Sequence, residues 1–210
     1  MISVIVSSYN QLEQLKLFLE AMECQACKDF EVVIAEDGSN DGTNQWLCPR
    51  PKPFPFDLTV FMRVHNGYRL ASLQNAGAEI AAGDRLLFTN ADVIHCRDSI
   101  RSHAACLPTE IGIGSIVASD PGGRMNCKKG RVPRADLAWG GNMSIDAKLF
   151  RKVGGFDESF THWGGEDGDL SRRCEEAGGI PSFVYGSVGV HLDHPRREYH
   201  PKPKEVACSS

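Results

Sequence analysis

At 210 residues, with 41% hydrophobic, 24% charged and 8% aromatic, the chain has ordinary globular composition and length for one large α/β domain or two small ones. Its 27 acidic residues against 23 basic ones leave a net charge of −4, so no overall basic field favours nucleic acid. The longest apolar stretches, at 2–6 and 86–88, fall far below the roughly 18–20 residues that span a bilayer. With no basic n-region or small-residue cleavage site at the start, no signal peptide is expected.

A soluble, cytoplasmic protein is therefore expected, with peripheral membrane attachment and oligomeric state left open. Residues 2–6 form a β-branched run, a buried parallel strand ending at Ser7-Ser8-Tyr9-Asn10. Leu12, Leu15, Leu19 and Met22 then make the apolar stripe of a helix over 11–22. A second strand spans 30–35, a turn-rich loop 36–42 and a short helix 43–47 before the prolines at 49, 51, 53 and 55. Residues 58–62 read as a strand, and 69–82 as an alanine-rich helix closed by Gly83 at its C-cap. Strands follow at 85–89 and 111–118, separated from the next segment by a polar surface loop over 119–134. Helices near 147–153 and 165–177, short strands at 182–185 and 188–191, and a basic tail complete the chain.

This alternation predicts an α/β domain with a mainly parallel central sheet and helices on both faces. Ligands of such sheets bind beyond the carboxyl ends of the strands, where Ser8–Asn10, Glu36–Gly38 and Asn90–Asp92 fall. Of the eight cysteines, Cys24 and Cys27 form one C-x-x-C. Without a second pair, free thiols are expected, a metal or redox role being the alternative.

The segments ISVIVSSYN (2–10), EDGSNDG (36–42), AGDRLLFTNADVI (82–94) and GGFDESFTHWGGEDGD (154–169) together resemble a family 2 glycosyltransferase of the GT-A fold. The last of these is similar to the C-terminal segment of galactosyl- and N-acetylgalactosaminyl-transferases and of chondroitin-type polymerases. The resemblance covers residues 2–195: a nucleotide-binding half (1–94) and an acceptor and donor-sugar half (111–195), leaving 196–210 as a flexible basic tail. It implies transfer, with inversion, of a sugar from a nucleoside-diphosphate sugar, a UDP-sugar first, to a hydroxyl of a glycan or other acceptor.

Asp92 ends a buried strand and projects into the crevice. By resemblance it binds Mn2+ or Mg2+ bridging the donor's phosphates, a role suited to hard oxygen ligands. Asn90 replaces the first acid of the family's Asp-x-Asp, which removes one negative charge but leaves a side chain able to hydrogen-bond a ribose or a metal-bound water. The resemblance also implies one C-terminal histidine ligand, which His191 matches best, with His194 as the alternative. The resemblance implies that Asp37, after the second strand, accepts from the nucleobase and that Ser8 and Tyr9 contact it; a plain turn is the alternative for 36–39. Arg69 is a candidate for the diphosphate or for a solvated face, while Gln74 stands where relatives carry arginine. In Trp163-Gly-Gly-Glu166-Asp167 the glycines permit an unusual turn into a helix, whose dipole would keep both acids ionised. The resemblance makes Asp167 the catalytic base, with Glu166 and Trp163 holding the acceptor. Asp169 instead pairs Arg173 one turn on. Gly141 and Asn142 would line the donor-sugar pocket, or form a close-packed turn. Two rival readings are a nucleotidyltransferase, which would carry a glycine-rich basic loop after the first strand, and a non-catalytic nucleotide- or sugar-binding protein.

Overall fold

Strands that are buried along their whole length, as 2–8 and 30–36 are, must be covered on both faces, and this arrangement organises the molecule. The computed structural model describes residues 1–49, 52–119 and 140–192. In chain order the elements are β1 (Ile2–Ser8), α1 (Leu12–Glu23), β2 (Phe30–Glu36), α2 (Thr43–Leu47), β3 (Asp57–Met62), α3 (Leu70–Ile80), β4 (Arg85–Asn90), β5 (Val93–His95), α4 (Ser99–Ala104), β6 (Glu110–Ala118), β7 (Met143–Asp146), α5 (Ala147–Lys152), α6 (Glu166–Glu176) and β8 (Ile180–His191). Among the described residues the strands form one sheet in the order β3-β2-β1-β4-β7-β6-β8-β5. The β3-β2-β1-β4 half is parallel throughout, as is β6–β8; β7 pairs antiparallel with β4 and β6, and β5 with β8.

Side chains alternate between the two faces. Val4, Val6, Val32, Ile34 and Leu87 pack with Leu15, Phe18, Leu19 and Met22 of α1 and with Leu47 and Ile100 from α2 and α4. Ile5, Val33, Leu86 and Phe88 pack on the other side with Ala71 and Ala78 of α3, Phe150 of α5 and Leu170 of α6. Helices therefore cover both faces, as expected. Gly77 seats α3 on the sheet: a Cβ there would lie 2.7 Å from Ile5 Cγ2.

Several local expectations are corrected. Gly83 is not a helix cap; α3 ends at Ala81 in extended conformation, with φ −71° and ψ 134°. Gly83 is small because β1 lies against it, and a Cβ would sit 2.7 Å from Ser3 N. The residues just before α5 form strand β7, and β5 and α4 were not anticipated. The two short strands expected at 182–185 and 188–191 are one strand, whose pairing with β6 jumps from Gly114↔Val184 to Ser115↔Val188. The loop over 120–134 and the tail from 196 lie outside the described residues. Among those described, no helix is long and apolar enough to cross a membrane.

Candidate active site

The parallel strands end side by side, and the loops leaving them are tied together by short polar side chains. Ser7 Oγ donates to Asn90 Oδ1 at 2.6 Å, joining β1 to β4. Asp37 N donates to Ser8 O at 3.0 Å, joining β1 to β2. Asn10 takes φ 51°, a left-handed conformation that asparagine tolerates better than most residues. Its Oδ1 accepts from Asn40 N at 2.7 Å, and its own N–H donates to Ser39 Oγ at 2.6 Å. Asp41 Oδ2 accepts from the Leu12 N–H at 2.9 Å, filling the cap that Gln11 leaves open at the start of α1.

Asp37 is buried, and its carboxylate has two partners that sequence reasoning missed. Arg63 Nε donates to Oδ1, and His65 Nδ1 lies 2.9 Å from Oδ2. Arg63 is itself anchored, donating to Ser72 Oγ at 2.7 Å and to Arg69 O at 2.9 Å. The His65 ring stacks on Tyr9 at 4.2 Å and 16°. Gly38, at φ +70°, admits this arrangement: a Cβ there would stand 2.4 Å from His65 N. Arg63 and His65 directly follow a parallel strand, the same position that singled out Asp37, so a positional signal for them was present. Ser8 is buried at the strand end, whereas Arg69 is exposed and uses its backbone carbonyl to hold Arg63.

Beyond β4, Asp92 is buried; its Oδ2 accepts from Gln11 Nε2 at 2.8 Å and lies 3.6 Å from His191 Nε2. β5 brings these two together, pairing Val93 with His191 at the end of β8 while Leu192 N donates to Asp92 O at 2.8 Å. His194, the alternative ligand, lies outside the described residues.

The second acidic pair opens α6. Gly164 and Gly165 have φ of 95° and 104°, the left-handed turn expected of them. Glu166 is 4% exposed, with Tyr68 Oη 3.5 Å from its Oε1. Asp167 Oδ2 accepts from the Gly140 N–H at 2.8 Å. Its Oδ1 is closed off from solvent without a hydrogen-bond partner among the described residues. A Cβ on Gly140 would lie 2.2 Å from that oxygen, so only glycine permits this approach. The helix dipole does not keep Asp167 readily ionised. Burial pushes its pKa up to about 7, the Gly140 hydrogen bond opposes this, and the charge of Glu166 adds to it. The Tyr68 phenol is raised too, by burial and by the charges of Glu166 and Asp167. Trp163 is 69% exposed beside this pair. Asp169 pairs with Arg173 at 2.7 Å, as its spacing predicts.

Asn142 corrects an expectation. Its Nδ2 donates to Ser115 O at 2.9 Å, and its Oδ1 accepts from His103 Nε2 at 2.9 Å and Ser187 Oγ at 3.0 Å. The amide is fully buried and three of its four hydrogen-bonding positions are used inside the protein, so it holds this packed turn together and is not displayed to a ligand. Gly141 belongs to the same packed turn: its carbonyl accepts from Thr89 Oγ1 at 3.0 Å, and a Cβ would meet Ile116 Cδ1 at 2.7 Å. Gln74 is fully buried, with neither end of its amide bonded among the described residues. Cys24, Cys27, Cys48, Cys96, Cys106 and Cys174 are free thiols.

A family model described as "Glycosyl transferase family 2" matches residues 3–124, and one described as "N-terminal domain of galactosyltransferase" matches 127–195. A validoxylamine A glucosyltransferase of Streptomyces hygroscopicus subsp. jinggangensis is 30% identical, over 93% of this chain and 56% of the relative. The chain thus spans about half the length of such curated relatives. Among solved structures, S. aureus TarS in complex with UDP-GlcNAc superposes with a TM-score of 0.77 at 18% identity, covering 94% of this chain and 60% of that one. The mannosyltransferase PcManGT of Pyrobaculum calidifontis, in complex with GDP-Man and Mn2+, does so with a TM-score of 0.67 at 23% identity, covering 94% and 58%. These two likenesses are of fold. The family match extends over more than half of the sequence, and the chain belongs to glycosyl transferase family 2.

Proposed function

We propose that this chain is a metal-dependent, inverting glycosyltransferase that moves a sugar from a UDP-sugar to a hydroxyl of a glycan or similar acceptor. The observation that carries the reading is the convergence of Asp92 and His191. They are far apart in sequence, yet one β5–β8 register brings them to 3.6 Å at the crevice where the parallel strands end. Two ligands held about 2.1 Å from one ion stand about 3–4 Å apart, so a carboxylate and an imidazole at this separation suit a shared Mn2+ or Mg2+. Such an ion would take its further positions from the diphosphate and water, as hard cations at phosphate sites do. The ion, when bound, neutralises charge developing on the departing diphosphate. Gln11, which donates to Asp92 Oδ2, would hold that carboxylate in place until the ion takes it over.

Tyr9 and Asp37 would receive the nucleobase by stacking and by accepting its N–H, and Arg63 fixes the carboxylate for that purpose. Asp167 Oδ1, without a hydrogen-bond partner among the described residues, would be the atom that takes the acceptor's proton. The acceptor oxygen then bonds to the anomeric carbon, the bond from that carbon to the phosphate oxygen breaks, and its electron pair leaves with the nucleoside diphosphate. A carboxylate poised near neutral pH suits a general base better than one at the ordinary value. Exposed Trp163 offers an apolar platform for an acceptor ring, and Glu166 a hydrogen-bonding acceptor beside it.

The test is a thermal-shift titration with UDP, GDP, CDP and dTDP, each with and without Mn2+. A shift for UDP that grows with Mn2+ and disappears in Asp92→Ala and His191→Ala is the expected result. No shift with any nucleotide would sink the donor-site reading. A shift with no UDP released from any UDP-sugar would favour a binding protein over a transferase.

A further inference from the structure

We infer that His65 occupies the nucleobase seat of the unliganded protein and is exchanged for the nucleobase when the donor binds. The inference rests on the reading of Tyr9 and Asp37 as the nucleobase contacts. Two features of His65 match what those residues would offer a pyrimidine. Its flat ring lies on the Tyr9 ring, 4.2 Å between centroids and only 16° from parallel. Its Nδ1 lies 2.9 Å from Asp37 Oδ2, and opposite a carboxylate that nitrogen must be the donor. A uracil presents the same pair of groups, a ring face and one imino N–H. The imidazole and the nucleobase therefore compete for one stacking face and one carboxylate oxygen.

The surroundings permit this exchange without remodelling the loop. Arg63 holds the other carboxylate oxygen and is anchored on Ser72 and Arg69, so it need not move. The His65 backbone is pinned against Gly38, where even a Cβ would come within 2.4 Å of His65 N. The side chain retains some exposure, at 22%, and rotation about its own χ angles releases the seat. In the absence of donor, the ring keeps a buried acid hydrogen-bonded and the slot filled, which avoids the cost of an under-satisfied carboxylate. The consequence is a lower apparent affinity, because only the fraction of molecules with the ring turned out can bind.

The test is calorimetric titration of the full chain with UDP in the presence of Mn2+, for wild type, His65→Ala and Asp37→Asn. The expected result is tighter UDP binding by about three- to tenfold in His65→Ala, as removing a competing state requires, and clear weakening in Asp37→Asn. Weaker binding in both variants would make His65 a wall of the pocket. That would overturn the exchange while leaving the nucleobase reading intact. Unchanged binding in Asp37→Asn, or no binding to any of the three, would overturn the nucleobase reading and the exchange with it. Nitrogen-detected NMR of the wild-type histidines keeps the test independent of whether His65→Ala folds. Saturating UDP must shift the His65 Nδ1 resonance away from its hydrogen-bonded position; a bound complex that leaves it unmoved refutes the exchange.

Discussion

A carboxylate that works as a base must be ionised, and at Asp167 the protein's interior opposes that. Its pKa is pushed up to about 7, chiefly by burial, so it gains its charge only as pH rises through neutrality. Transfer measured against pH should therefore show an acid limb with an apparent pKa near 7 and a plateau above it. Asp167→Asn should lower kcat by about 10²–10⁴-fold and abolish that limb, the range general-base catalysis supplies. A rate independent of pH between 5 and 8 would remove Asp167 from the role. Gly140 belongs to the same argument, since its N–H donates a hydrogen bond that lowers the pKa, and its missing side chain leaves room for Oδ1. Gly140→Ala should push Asp167 away and lose most of the activity while UDP binding changes little; a Michaelis constant for donor that rises with kcat intact would contradict it.

The elements show how the proposed metal ligands come together from positions so distant in sequence. β5 has three residues, too few for hydropathy alternation to reveal, yet its pairing with β8 sets Asp92 beside His191. Gly189 lies opposite His95 in that ladder, and a Cβ there would sit 2.5 Å from Val93 Cγ1, a buried branched side chain with nowhere to go. Gly189→Ala should therefore spread β5 from β8 and reduce the Mn2+-dependent part of the UDP thermal shift, leaving the metal-free part nearly as it was. An undiminished Mn2+ response would show that the ladder does not set the ligand pair. The same contrast explains what was legible beforehand. β1, β2 and β4 are long, β-branched or aliphatic runs followed by polar turns, so their strand ends and the acids on them could be placed from sequence. β7 and α4 are short and carry no periodicity of their own. Tyr185-Gly-Ser187 reads as a turn, but flanking β6 and β5 hold it in one strand across a register shift. Asn142 was misplaced for a related reason. A polar residue after two glycines looks available, and only the tertiary fold brings His103, Ser115 and Ser187 to consume it.

The whole molecule carries the buried Asp167 carboxylate, the proposed base, at a cost to stability, and the buried histidines make that cost measurable. His103 donates from Nε2 to Asn142 Oδ1, whose orientation the Asn142–Ser115 bond fixes, so Nδ1 is left to accept from Ser144 Oγ at 2.9 Å. That pattern requires a neutral ring, and burial lowers its pKa to about 4; His95, bonded to Thr89 Oγ1 at 2.8 Å, falls to about 3. An unfolded histidine protonates near 6.5, so as pH falls below that value the unfolded chain binds protons the fold does not. The histidine contribution is complete above 6.5 and is lost at up to about 1.4 kcal/mol per pH unit per ring as pH drops towards 4. Asp167 acts with the opposite sign: the fold keeps it protonated up to about 7, whereas an unfolded aspartate ionises near 3.8. Its contribution therefore falls as pH rises from 4 to 7, and it partly offsets the two histidines across that window. Denaturant unfolding of the wild type should accordingly show modest loss of stability from pH 7 to 5. Asp167→Asn, which titrates nowhere in that range, should lose stability more steeply on acidification and be the more stable protein at pH 8. A variant equal to wild type at pH 8 would mean that the carboxylate is not held against its own ionisation, and would remove the physical basis for its activation as a base.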